Sequence, residues 1–302
     1  MGASTPILRC KALHRVVSLR LLMEPALLVV LLLFAFVAFS IFPLQSPSLQ
    51  STVERMKLTF TKLDTYKACP LRFRLKYHAK LPEAPLRSRN LSIILHRTLQ
   101  AFLFHARRDP SLNTLLRTYE TYCPLAQDLK QQQRYQEGRH ALEAFHREQG
   151  DRLATAVALE QAFSVYLAGI EIAGRLDCAL ETEAGLELLD FKFTSQVPAS
   201  LDPLQLQLYS LGLKEATGST SDTLTYYYLR QGKRVSFPGG EAAIQEGEDR
   251  VNGLVRRLQG EQEFAPSTGP WCGTCSYRRY CPTQRQHPDP IPPMLVQARL
   301  PL

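Results

Sequence analysis

Two charged residues inside an apolar strand constrain this chain more than any other feature. Leu186, Leu188, Leu189, Phe191 and Phe193 give residues 186–193 the character of a core β-strand, yet the same stretch holds Asp190 and Lys192. Ionised groups are expensive in such surroundings unless something answers their charge. Asp190 and Lys192 lie two apart, so both side chains leave one face of the strand. An earlier apolar segment, 170–180, carries Asp177 and is joined to the first by a Glu183-Ala184-Gly185 turn. An antiparallel hairpin about that turn sets residue 177 near residue 190, to within the one residue a bulge would shift.

Carboxylates that face each other across a ladder repel. A divalent cation between them converts the repulsion into a binding site. An ammonium group beside that site can hold the attacking water and offset charge on a phosphorus under attack. The residue types therefore point to metal-assisted cleavage of a phosphodiester. The alternative is a surface hairpin with scattered charges, because Asp-x-Lys is a common tripeptide. Gly174, shortly before Asp177, would allow a close backbone approach to the strand.

The rest of the chain after residue 56 reads as helices around these strands. Thr61 or Asp64 could cap a helix that Cys69-Pro70 interrupts and residues 71–78 resume with a basic, amphipathic face. Residues 90–106 read as a second helix, and 111–149 as helical with loops near Pro110 and Pro124. Strands are predicted at 162–167, 170–180 and 186–193. Asp202-Pro203 opens a helix that ends near Gly218. Its Gln205 and Tyr209 share a face, beside a core stripe of Leu204, Leu208 and Leu211. A hairpin about Gln231-Gly232 and a helix over 241–258 follow.

Seven cysteines are present, and Cys272, Cys275 and Cys281 fall within ten residues. A disulfide framework spreads its cysteines more evenly, so metal ligation is the better reading of the cluster, and a zinc site is open. Cys178 reads as a small apolar strand residue.

The ordered set Gly174-Arg175-Leu176-Asp177, Asp190-Phe191-Lys192 and Gln205-x-x-x-Tyr209, with His96 upstream, resembles the RecB-type branch of the PD-(D/E)XK nucleases. The resemblance spans about residues 56–283. It implies an α/β, restriction-endonuclease-like core with a mixed central sheet flanked by helices. It implies that His96, Asp177 and Asp190 bind Mg²⁺ or Mn²⁺, that Lys192 assists catalysis, and that Gln205 and Tyr209 line the site. It also matches the iron–sulfur subset of that branch, similar to AddB-type and CRISPR-adaptation nucleases. There Cys69 would join Cys272, Cys275 and Cys281 around a structural [4Fe–4S] cluster, closing a loop of about 200 residues. Tetrahedral Zn²⁺ would use the same four thiolates. This chain departs from the commoner pattern by having Cys178 after the first aspartate and Phe191 within the Asp-x-Lys motif. Glu160 is either a supporting group near the metal or a solvated helix-end charge.

The implied activity is an exonuclease-type DNA hydrolase of repair or recombination, acting on single strands or DNA ends, with a helicase subunit as a conceivable partner. The rival readings are a non-catalytic DNA-binding or scaffold subunit, and a membrane-tethered zinc-knuckle protein. The net charge is +8; residues 1–55 account for +3 of it and leave +5 for the remainder, compatible with a polyanion partner. Lys67, Arg72, Arg74 and Lys76, interleaved with aromatics around Cys69, form a candidate strand-tracking surface that Arg278 and Arg279 could extend.

Residues 26–42 are nearly all apolar and follow Arg9, Lys11, Arg15 and Arg20. Three readings stay open for residues 1–55: a membrane span, a signal peptide, or an extension ahead of a true start at Met56. Export conflicts with a DNA substrate, so the expectation is a cytoplasmic protein that touches a membrane only if residues 26–42 are expressed. Residues 284–302 read as a Pro-rich tail.

Overall fold

A thirteen-residue strand, Ile170–Thr182, is the spine of the fold. A computed structural model describes residues 57–83, 90–123, 131–154 and 156–291. The apolar run 26–42 and the end of the tail lie outside the described residues. Among those described, no helix is long and apolar enough to cross a membrane.

The strands are β1 (Ala158–Leu167), β2 (Ile170–Thr182), β3 (Gly185–Lys192), β4 (Thr223–Tyr228) and β5 (Lys233–Pro238), in that order across one five-stranded sheet. All neighbours are antiparallel except β3 and β4, which run parallel. The helices are α1 (Phe60–Ala68), α2 (Pro70–Phe73), α3 (Leu91–His105), α4 (Leu112–Tyr122), α5 (Gln132–Leu153), α6 (Leu204–Thr217) and α7 (Glu241–Gln259). Apolar side chains of α3, α4 and α5 pack with Cys178, Leu180, Leu189 and Phe191 on one face of the sheet. Those of α6 and α7 pack on the other. This is the mixed α/β sheet flanked by helices that the sequence led one to expect.

Several local expectations shift. The cap of α1 is Thr59, whose hydroxyl accepts from the Lys62 amide, rather than Thr61 or Asp64. Cys69 ends α1 in an extended conformation, and its Sγ accepts the Arg72 amide at the start of α2. The predicted helix over 71–78 runs as α2 through Phe73 and then widens into a π-helical turn from Arg74 to His78. Strand β1 begins four residues earlier than predicted, which takes Glu160 off a helix end and buries it within the sheet.

Two irregularities open the sheet where the acids lie. The β2–β3 ladder begins only at Cys178↔Leu189, whereas Leu58 bridges Ile172 further up β2 through Leu58 N–Glu171 O (3.0 Å) and Ala173 N–Leu58 O (2.9 Å). Between those two attachments β2 faces a fork. At the same level, the β1–β2 ladder skips the Glu160–Asp177 position, and Glu160 has φ +46. The pleat inverts there on both strands. Phe163, Val165 and Leu176 face α6 and α7, whereas Leu159 and Cys178 face α3. A side-chain alternation that changes sign at one level re-aims the side chains around it.

Candidate active site

The fork gathers its polar groups from five elements. Its cleft, about 390 Å³, is lined by Asp177 and Glu160 from the irregular strand pair, Asp190 and Lys192 from β3, His96 and Gln100 from α3, and Gln205 and Tyr209 from α6. The Asp177 carboxylate accepts the Phe191 amide at 2.8 Å, which holds it against the backbone next to Asp190. Asp190 and Lys192 leave the same face of β3, and their charged ends meet at 2.7 Å. Gln205 joins them: its Oε1 accepts from Lys192 Nζ (2.7 Å), and its Nε2 donates to Asp190 Oδ1 (2.9 Å) and to the Tyr209 hydroxyl oxygen (3.0 Å). The Lys192 ammonium also lies 4.7 Å from the centre of the Tyr226 ring. His96 is exposed on α3, with its ring set edge-on to Phe193.

Gly174 has a packing role. A Cβ there would come within 2.4 Å of the Phe163 ring, and a Cβ at Gly212 on α6 would meet the same ring at 2.4 Å. Phe163 is therefore wedged between two glycines, and it supports Tyr209 edge-on at 5.6 Å. The close approach allowed by Gly174 is that of an aromatic ring.

Electrostatically the site is loaded with acid. Burial raises the pKa of Asp177 well above the ordinary carboxylate range, and the neighbouring Asp190 raises it further. Burial raises Asp190 as well, against the opposing pull of Lys192. Glu160 is raised by burial, moderated by the Gln100 amide (3.3 Å) and by Arg175. Although its side chain reaches the surface, partial desolvation in the cleft lowers the pKa of the His96 imidazole, and Asp190 opposes that shift. Three acids thus share the cleft with the single ammonium of Lys192 and the Arg175 guanidinium at its rim.

The fit of a hard cation rests on Asp190 Oδ2. That oxygen is buried and, apart from its ion pair with Lys192, has no aligned hydrogen-bond donor. Buried carboxylate oxygens are rarely left so. Magnesium needs only one or two carboxylates and otherwise keeps its waters. Asp177 and Asp190 meet that requirement. The three-ligand set with His96 is not assembled: among the described residues, no three His, Cys, Asp or Glu side chains converge tightly enough to hold a metal ion.

The same finding applies to the cysteines. All six described cysteines are free thiols. Cys69 is buried in one apolar cluster with Tyr277 and Tyr280, and Cys275 and Cys281 pack against that cluster. Cys69 Sγ accepts the Ser267 amide across 198 residues of sequence (3.4 Å), and Cys272 Sγ accepts the Gly269 amide (3.4 Å). Cys69, Cys275 and Cys281 are neighbours in one cluster, yet the four cysteines do not form a metal-holding group as they stand. Cys178 is fully buried in the core, as predicted.

The predicted basic surface is partly occupied by internal partners. Lys67 pairs with Asp202, and Lys76 pairs with Glu83 at 2.8 Å. Burial works against the charge of Asp202, but hydrogen bonds from Lys67 and Arg250 outweigh it and hold its pKa at about 2. Arg74 lies over the Phe264 ring, and the Nε of half-buried Arg72 lacks a partner. Arg278 and Arg279 are exposed, the latter beside the Tyr280 ring.

A mixed sheet whose central fork holds opposed acids and a lysine defines a class of metal-assisted phosphodiester hydrolase folds. The profile of the PD-(D/E)XK nuclease superfamily matches residues 57–282, most of the chain, and the chain belongs to that superfamily. Among solved structures it is similar to a Eubacterium rectale protein provisionally named an exonuclease, with a TM-score of 0.50 at 12% identity, covering 85% of this chain and 98% of that one. It is also similar to the protein SSO0001, with a TM-score of 0.34 at 15% identity, covering 72% of this chain and 96% of that one. No curated protein matches the chain in sequence.

Sequence reasoning missed Gln100 and Arg175 as lining residues and left Glu160 undecided. Gln100 stands four residues after His96, one helical turn along the same face, and that spacing was the available signal.

Proposed function

We propose that this chain hydrolyses DNA phosphodiesters with Mg²⁺ or Mn²⁺ held by Asp177 and Asp190, with His96 close by. A cation bound there supplies charge that polarises the phosphate and lowers the pKa of a water. The chain's own residues do the rest. Lys192 presents its ammonium where negative charge gathers on phosphorus-bound oxygens. Gln205 fixes that ammonium through its carbonyl and Asp190 through its amide, and Tyr209 in turn fixes Gln205. The burial that raises both acids also keeps bulk water away from the charges.

The observation that carries the reading is buried Asp190 netted to half-buried Lys192 and Gln205 beside Asp177. It also weighs against a non-catalytic scaffold, which has no use for such a costly group of charges. The expected result is cleavage of single-stranded DNA with Mg²⁺ or Mn²⁺, abolished by EDTA and by Asp190→Asn. Equal cleavage by that variant would overturn the reading.

The finer assignments belong to the same proposal: the RecB-type branch, exonuclease-type action on single strands or ends, a repair or recombination context, a helicase partner and a cytoplasmic location. The domain division at residues 55/56 and 283/284 stands with them. For the cysteine end we propose a structural [4Fe–4S] cluster, with Zn²⁺ as the competing metal. The gathering of Cys69, Cys275 and Cys281 supports it, but the present arrangement requires the sulfurs to draw together. Metal analysis and visible absorbance of anaerobically purified protein separate iron from zinc, and metal-free protein of unchanged stability would overturn both.

A further inference from the structure

The catalytic cleft continues past its acids. Gln100, Glu160 and Arg175 line both it and a second hollow of about 350 Å³, whose other walls include Arg97, Phe104 and Tyr122. Tyr122 and His105 in turn border a third hollow that reaches Arg117 on α4. Together they make a groove along α3 and α4, leading away from the fork.

The exposed aromatic rings of this groove are not explained by the packing of the core. Helix α3 buries Leu91, Ile94, Leu95, Leu99, Phe102 and Leu103. Phe104 lies off that stripe and is 69% exposed; Tyr122 is 42% exposed. Arg97, Gln100, Ala101 and Phe104 repeat at helical spacing, so the stripe that borders the acids also carries the exposed ring. From His96 to Phe104 the helix rises about 12 Å. The cations Arg97, Arg117 and Arg175 are all exposed. The carboxylate in the groove, Glu160, is buried and answered by Gln100 and Arg175.

We propose that Phe104 and Tyr122 are a stacking platform for bases of single-stranded DNA, with Arg97, Arg117 and Arg175 following its phosphates into the cleft. This rests on the nuclease reading and deepens it. Bases stack on exposed aromatic rings only when unpaired, and a groove of aromatics among cations suits a strand regardless of sequence. A duplex offers that groove charge but no free base faces, which sets the substrate class.

The test is anisotropy of a labelled oligothymidine titrated with the full chain in EDTA, which separates binding from cleavage. Phe104→Ala with Tyr122→Ala should weaken binding about tenfold or more, while Phe104→Trp retains it. The same double variant should raise KM for the oligonucleotide, leave its kcat, and hydrolyse bis(p-nitrophenyl) phosphate at the parent rate, because that small diester reaches only the fork. Unchanged oligothymidine affinity would overturn the platform, as would an equal loss on the small diester, which would place the effect at the fork. Binding without any hydrolysis by the parent would instead sink the nuclease reading and leave the platform standing.

Discussion

The fork between β2 and β3 and the cysteine end of the molecule both collect potential metal ligands, but in opposite physical states. At the fork, Asp177, Asp190 and Glu160 are carboxylates whose charge the protein resists, and Lys192 answers them only in part. At the other end, Cys69, Cys275 and Cys281 sit among Leu71, Leu75, Tyr277 and Tyr280 as ordinary apolar neighbours. Free thiols pack well without a metal; buried acids do not. The difference teaches that uncompensated charge is the stronger mark of a site, because gathered thiols suit a plain core as well as a metal.

The comparison sharpens at Lys192. Lys192→Met should cut metal-dependent cleavage by roughly a hundred- to a thousandfold with metal affinity retained, whereas Cys275→Ala should leave the turnover of folded protein unchanged. A steady-state assay on both variants would erase the contrast if the cysteine change cost as much. The next effect acts on packing behind the acids. Gly212→Ala drives a Cβ into the Phe163 ring and should cost about 1–3 kcal/mol of stability, read by urea unfolding, with a loss of activity through Tyr209.

The smallest effect concerns the acids' own strain. Asp177 has a folded-state pKa above its unfolded value. Its contribution to stability is therefore full below about pH 4 and is lost as pH rises through the folded pKa. In EDTA, Asp177→Asn should melt with the parent at low pH and above it at neutral pH. Adding Mg²⁺ should raise the Tm of the parent and not that of the variant. A variant less stable than the parent at neutral pH in EDTA would show that Asp177 is not strained.

Much of the fork was legible in the sequence because its signals are local. The turn after Thr182 set Cys178 opposite Leu189, a spacing of two put Asp190 and Lys192 on one face, and a spacing of four aligned Gln205 with Tyr209. Glu160 stayed undecided for a physical reason. The left-handed backbone there inverts the alternation of β1, so a period-two pattern starts only beyond it. The basic segment around Cys69 shows a different limit of sequence reading. Lys67 finds Asp202 at a separation of 135 residues, a partner that only the tertiary fold supplies. The groove along α3 and α4 was invisible because one exposed Phe in an apolar helix looks like core until its neighbours are placed.

The central claim is that Asp177 and Asp190 share one divalent cation beside Lys192. Anomalous scattering from Mn²⁺ in crystals of the protein tests it directly. The account expects a peak within bonding distance of oxygens from both aspartates, with the Lys192 ammonium moved off Asp190. A peak that touches neither acid, or Mn²⁺ bound with the Asp190–Lys192 pair intact, would contradict it.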